Sequence, residues 1–334
     1  KAMNDLEKAL TVQAKEEEEK KAREEALKNK TYHMDLDIIP DVFHPMIRDV
    51  RNHRHTEYVL PGGRGSGKSS TIPNIITELM RNNNDIHCLV VRKVYNTVKD
   101  SVFAKTKWAI TKQEFSEKDY KYTSSPYEIT MRDTGQKIFF RGADDKDKIK
   151  SIAPEFGYIG IVWFEELDQF AGPEEIRNIE QSAIRGGDLA WIFKSFNPPK
   201  SANNWANQYL QEPTANRLIT RSTYLDVPKE WLGQPFIDEA EHLKEIRPEA
   251  YEHEYMGIAN GNGGAVFEYV EVREITDEEI AQMDRIYQGV DWGWYPDKYA
   301  FTRTYYDVAR ETIYFIDEHC VNKRSNEQTA DWIK

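Results

Sequence analysis

One octapeptide constrains this chain more than anything else in it. Gly62-Gly63-Arg64-Gly65-Ser66-Gly67-Lys68-Ser69 fits G-x-x-x-x-G-K-S/T at every fixed position, between the apolar run Tyr58-Val59-Leu60 and a helix-like segment from Ile72 to Met80. Strand, loop and helix in that order make a phosphate-binding loop. The glycines let successive backbone N–H groups turn inward, Lys68 reaches the β- and γ-phosphates, and the Ser69 hydroxyl is placed to ligate Mg²⁺. The expected nucleotide contacts are Gly62, Gly63, Arg64, Gly65, Ser66, Gly67, Lys68, Ser69 and Ser70, with ATP and Mg²⁺ as the ligands.

A second motif supplies the acids. Ile159-Gly160-Ile161-Val162-Trp163-Phe164 reads as a buried strand ending in Glu165-Glu166. Two carboxylates at the tip of an apolar strand are costly unless something cationic meets them. Glu165 is assigned to the magnesium shell and Glu166 to general-base activation of water. Phe193 to Phe196 reads as a further strand, followed by Asn197-Pro198-Pro199. If that strand neighbours the one ending in the acids, Ser195 and Asn197 face the γ-phosphate and sense its loss; otherwise the segment is a strand and a proline turn. Arg64 either neutralises transition-state charge in cis or pairs with a nearby acid. Arg92, Arg141, Lys148, Lys150 and Arg185 are weaker candidates for groups acting on a neighbouring subunit or on nucleic acid.

The surroundings of these motifs indicate an α/β fold with a mainly parallel sheet. Ile86 to Val91 is a continuous apolar run suited to a buried parallel strand, Val102 to Ile110 reads as helix, and Tyr127 to Phe140 reads as a hairpin turning at Asp133-Thr134-Gly135. Strands alternating with helices imply a doubly wound sheet. At 334 residues the chain is long enough for two domains and an appendage. The appendage is residues 1–34, a mixed-charge helical arm with a thin stripe of Leu6, Leu10, Ala14 and Ala22, either solvated or docked on a partner. No apolar run is long enough for a membrane span and no signal peptide is recognisable, so a soluble protein is expected, with no membrane partner. Cys88 and Cys320 belong to no metal-spacing motif and read as buried thiols in a reducing compartment. A net charge of −12 argues against a protein that coats nucleic acid, while permitting local basic patches.

The motifs together resemble the large terminase subunit of tailed bacteriophages: Gly62 to Ser69, Val-Val-Arg-Lys at 90–93, Phe-Arg-Gly-Ala at 140–143, Trp-Phe-Glu-Glu at 163–166, Ser-Phe-Asn-Pro at 195–198 and Ser-Thr-Tyr-Leu-Asp at 222–226. The resemblance runs from about Asp35 onward. It implies an ATPase that pumps double-stranded DNA through a portal into a procapsid, and an RNase H-like nuclease that cuts the concatemer with Mg²⁺ or Mn²⁺. It also implies a portal protein, a small terminase subunit and self-assembly into a ring as partners. The place of action would be the bacterial host's cytoplasm, transiently at the portal vertex. Glu165 stands where many relatives of the superfamily carry Asp.

The expected organisation is a P-loop ATPase domain over 35–226, a helical linker subdomain with a Gly-rich hinge over 227–264, and the first strands of the nuclease over 265–334. Phe236, Ile237, Ala240, Leu243 and Ile246 fit helical spacing, and Gly257 to Gly264 is expected to be flexible. Arg285 to Gly293 reads as a strand carrying Asp291 near its end, followed by strands over Tyr299 to Asp307 and Thr312 to Asp317. By resemblance, Asp291 matches the first metal ligand of the nuclease. A two-metal nuclease needs carboxylates from several strands, and the other acids of the family lie beyond Lys334. The chain as written is therefore expected not to cut DNA, and Asp297, Asp317 and Glu318 read as surface acids. Two rival classes share the phosphate loop and acidic strand: a helicase, and a nucleotide-gated assembly protein with little turnover.

Overall fold

Alternation along the strands decides how the layers form. In the computed structural model of the chain, residues 31–212, 214–261, 271–293, 298–323 and 325–333 are described. The chain divides into two compact units between Ala265 and Val266. The first holds an eight-stranded sheet of β1 (Glu57–Pro61), β2 (Ile86–Arg92), β3 (Tyr120–Ser124), β4 (Tyr127–Met131), β5 (Lys137–Gly142), β6 (Tyr158–Glu165), β7 (Trp191–Phe196) and β8 (Arg217–Ile219), in the order β3-β4-β5-β2-β6-β7-β1-β8. From β5 to β8 all neighbours are parallel, and β4 and β3 extend the sheet antiparallel. This is the mainly parallel α/β core expected from the strand–helix alternation, including the hairpin that turns at Asp133.

β2 and β6 are buried along their whole length, as strands covered on both faces must be. Their side chains divide by parity. Cys88, Val90, Ile161 and Trp163 join one core with Ile72, Ile75 and Ile76 of the helix Lys68–Asn82 and Phe43, Met46 and Ile47 near the helix His44–Arg51. Leu89, Val91, Val162 and Phe164 join a second core with Ile176 and Ile179 of the helix Pro173–Ala183. Each such side chain contributes roughly 1.5–3 kcal/mol on burial. Residues 31–34, expected in the charged arm, are seated on this body: Met34 is buried and its N–H donates to Glu78 at 3.0 Å, while the Tyr32 N–H donates to Asn82 at 2.7 Å. Residues 1–30 of the expected arm lie outside the described residues.

A buried charge cluster ties β1, β7 and β8 together. Lys194 is 2% exposed, and its Nζ lies 3.1 Å from Glu57, 2.8 Å from Glu180 and 2.6 Å from the Tyr209 hydroxyl. Arg217 Nε donates to Glu57 at 2.9 Å. Burial pushes the Glu57 carboxyl upward, but Lys194, Tyr209 and Arg217 outweigh it and hold the group below its ordinary value. A carboxylate whose folded value is depressed contributes stability above its unfolded value, lost as pH falls through the folded one. Glu57→Gln is therefore expected to lower stability near neutrality by about 1–3 kcal/mol. The loss should shrink as pH falls through the acid range, read as urea midpoints at neutral and acid pH; a pH-independent loss would contradict the charge account.

The second unit contains β9 (Ile286–Asp291), β10 (Tyr299–Asp307) and β11 (Thr312–Val321), antiparallel in the order β11-β10-β9, and the helix Asn326–Ile333. Cys88 is buried as expected, but Cys320 is exposed. Most of β11 is open to solvent, so its apolar composition does not translate into burial. Among the described residues no helix is long and apolar enough to cross a membrane.

Candidate active site

The carboxyl ends of β1, β6 and β7 converge on a cavity of about 890 Å³ lined by the phosphate loop, Lys105, Glu165, Glu166, Asp168, Ser195 and Asn197. The loop leaves β1 at Pro61 and enters the helix at Lys68 through Gly67, whose φ of +79° is the left-handed conformation that glycine adopts without a Cβ penalty. Lys68 is 6% exposed, and its Nζ donates to the carbonyls of Gly62 (2.8 Å) and Gly63 (2.9 Å), to Ser66 Oγ (2.9 Å) and to Asn197 Oδ1 (2.9 Å). Burial, helped by the charge of Lys105, pulls its pKa down to about 7 against the attraction of Glu165 and Asp168. A polyphosphate at this position would stabilise the charged amine.

β6 delivers the two acids differently. Glu165 is the last strand residue, 4% exposed, paired with Lys105 Nζ at 3.0 Å and with Arg92 Nε at 3.3 Å. Glu166 follows with φ 56° and ψ 56°, a left-handed conformation that costs a non-glycine residue about 1–3 kcal/mol. That turn of the backbone brings its half-exposed carboxylate to Arg92 Nη2 as well. Arg92, at the end of β2, is 7% exposed and further held by the Thr97 carbonyl (3.1 Å) and Ser101 Oγ (2.9 Å). This corrects the reading of Arg92 as a group for another subunit or for nucleic acid: its guanidinium is committed to the two acids of its own chain. Arg141 is likewise buried, paired with Glu128 at 2.7 Å.

β7 lies beside β6 with Ser195 in register with Glu165. Ser195 Oγ accepts from Trp163 Nε1 at 2.9 Å, and Asn197 contacts Lys68. The segment therefore touches both the acid strand and the loop lysine. Arg64 lines the cavity and pairs with Glu254 at 2.9 Å, the second of the alternatives weighed for it.

Glu165 Oε2 is a buried carboxylate oxygen that accepts no hydrogen bond and meets only the charge of Arg92 Nε at 3.3 Å. With the Ser69 hydroxyl in the same cavity it offers the oxygen donors a hard divalent cation takes, beside that arginine. Among the described residues no three His, Cys, Asp or Glu side chains converge as a metal cage. A cation here would draw its remaining ligands from phosphate and water, as Mg²⁺ does beside nucleotides. In the second unit, Asp291 ends β9 opposite Ala300, and Asp317 pairs with Arg303 at 2.6 Å. Asp297 lies outside the described residues.

Sequence reasoning did not anticipate how the helices after Asp226 are used. The helices Gln234–Ile246 and Pro248–Glu254 pack on the phosphate loop: the Arg64 N–H donates to the Glu254 carbonyl at 2.8 Å, and a Cβ on Gly63 would fall 1.9 Å from the Tyr255 carbonyl oxygen. Gly261, expected in the flexible hinge, is bound by its N–H to the Lys200 carbonyl at 2.8 Å, while residues 262–264 lie outside the described residues. Gly63→Ala is expected to cost about 1–3 kcal/mol, because the clash is with backbone that cannot rotate away. A lowered Tm accompanied by weaker nucleotide binding would bear this out, and unchanged values of both would refute the packing. Lys105 and Asp168, whose carboxyl is pushed upward by burial, were also missed.

Residues 54–258 match the model of the family described as "Phage terminase large subunit". A curated relative, the terminase large subunit of Bacillus phage SPP1, is 42% identical over 296 residues, covering 86% of this chain and 69% of the relative. The large terminase of a thermophilic bacteriophage superimposes with a TM-score of 0.56 at 13% identity, over 88% of this chain and 73% of that one. The same thermophilic-phage protein in complex with ADP gives a TM-score of 0.51 at 12% identity, with the same coverage. At these identities the two superpositions show likeness of fold.

Proposed function

This chain belongs to the phage terminase large subunits, and from that premise we propose that it is the ATP-hydrolysing motor that drives double-stranded viral DNA into a procapsid. The observation that carries the reading is the meeting of Lys68, Glu165, Glu166 and Asn197 at one cavity. Lys68 and the N–H groups of the loop hold the phosphates, Ser69 and Glu165 hold Mg²⁺, and Glu166 takes the proton of the attacking water. Bound Mg²⁺ would neutralise charge developing on the phosphoryl oxygens. Arg92 positions Glu166, and Asn197 senses the γ-phosphate through its bond to Lys68. The thermophilic-phage terminase with bound ADP supports the nucleotide assignment.

Residues 35–226 form the ATPase, 227–264 its helical linking segment, and 265–334 the nuclease portion, in which Asp291 would ligate Mg²⁺ or Mn²⁺ for cleavage of concatemeric DNA. The partners proposed are double-stranded DNA, the portal protein, a small terminase subunit and further copies in a ring, at the portal vertex in the host cytoplasm. DNA contacts made through the phosphate backbone should weaken as salt rises. The deciding experiment is steady-state ATP hydrolysis with and without linear double-stranded DNA. Stimulation by DNA favours the motor; slow hydrolysis indifferent to DNA would sink it in favour of a nucleotide-gated assembly protein, and separation of a forked duplex would favour a helicase.

A further inference from the structure

Three cations stand at the acids of this cavity, and they are not held alike. Lys68 is buried with four acceptors around its amine, and Arg92 is pinned between both glutamates, Thr97 and Ser101. Lys105 differs. Its side chain is 40% exposed, against 5% for the Glu165 it meets, and among the described residues its one hydrogen bond is to Glu165 Oε1 at 3.0 Å. It stands on the helix Ala104–Lys112 with Trp108 and Lys112, and all three line the cavity beside Lys68 and Ser69. Their spacing of three and seven residues puts them on one helical face, so that face looks into the site. Its ammonium is near enough to Lys68 for its charge to bear on that buried amine.

From this arrangement we propose that Lys105 is a second cis-acting lysine on the bound nucleotide, turning from Glu165 to the terminal phosphate and so distinguishing a triphosphate from a diphosphate. The proposal rests on the nucleotide reading of the cavity. A magnesium–nucleoside triphosphate brings net negative charge to a site in which Lys68 and Arg92 have no freedom to follow it and Arg64, which also lines the cavity, is paired with Glu254. A lysine on a flexible four-carbon stem, open on its cavity side, has that freedom. Its carboxylate partner is also the residue fitted to hold the divalent cation, so the acid does not lose all positive company when the lysine leaves it.

The test is the affinity of the full chain for ATPγS and for ADP, each with Mg²⁺, by isothermal titration for wild type, Lys105→Met and Lys105→Arg. Loss of one charge-assisted contact should weaken ATPγS by about tenfold or more in Lys105→Met. ADP should be little changed, and Lys105→Arg should recover most of the loss. Equal weakening of both nucleotides would overturn the proposal, because a lysine that only props Glu165 has no reason to prefer a γ-phosphate. Unchanged affinity for both would overturn it also. If Lys105→Met does not fold, judged by its melting curve, Lys105→Gln carries the same comparison. A wild-type chain that binds neither nucleotide would instead refute the nucleotide reading beneath it.

Discussion

Glu166→Gln should slow steady-state ATP hydrolysis by about two to four orders of magnitude while leaving ATP bound. The substitution keeps the side chain's length and backbone preference, so the left-handed turn after β6 is retained and what disappears is the capacity to accept a proton. Arg92, which reaches Glu166 and Glu165 together, keeps Glu165 as its anionic partner, so the wall of the cavity should hold. Phosphate release under multiple-turnover conditions, compared with retention of labelled ATP on a filter, separates the two properties. Hydrolysis at the wild-type rate would remove Glu166 from the role of base and turn attention to Asp168, whose carboxyl faces the same cavity.

Lys68→Ala acts one step earlier. Two charge-assisted contacts to phosphate, each of about 1.5–3 kcal/mol, correspond to a loss of roughly two to four orders of magnitude in triphosphate affinity. Turnover should fall to background. The alanine also leaves the carbonyls of Gly62 and Gly63 without the donor they share, and frees Asn197 from the loop. The signature is therefore a double one, failed binding together with loss of the link between β7 and the loop. Hydrogen exchange of the segment after Phe196 should rise in the variant even without nucleotide. Binding preserved at wild-type strength would refute the assignment of the phosphate loop itself.

How much of this was legible in the sequence follows from how local each feature is. The phosphate loop declares itself because its chemistry is carried by eight consecutive residues between a strand and a helix. Glu165 and Glu166 are legible because acids at the end of so apolar a run as Ile159 to Phe164 need a cationic reason. The place of Ser195 and Asn197 depended on one topological fact, that β7 lies beside β6, which the order of elements made natural without requiring it. Lys105 was not legible as a site residue, and Arg92, a candidate from the sequence, was assigned to another molecule rather than to Glu165 and Glu166. Each reaches the acids from an element far away along the chain, and the surrounding charges gave no sign of which lysine or arginine would be turned inward. The helices after Asp226 had the right periodicity, but their apolar faces say only that something is covered. That the covered object is the phosphate loop is known only from backbone meeting backbone at Gly63 and Tyr255. Cys320 misled because burial was expected of a cysteine by its type alone, whereas it lies on a strand mostly open to solvent.

The two rims of the large sheet limit how copies of this unit can meet. On one side the sheet stops at β8, a strand of three residues. On the other it stops at β3, where Lys121 is exposed beside the hairpin that turns back into the body. A rim that is short or charged is a poor template for a strand from another molecule. Crowding of many copies around one axis, as a ring would demand, is thereby shielded from sheet-to-sheet growth into fibres. Were copies to meet in such a ring, their contacts would fall to helices and loops, which can separate without breaking a ladder of main-chain bonds.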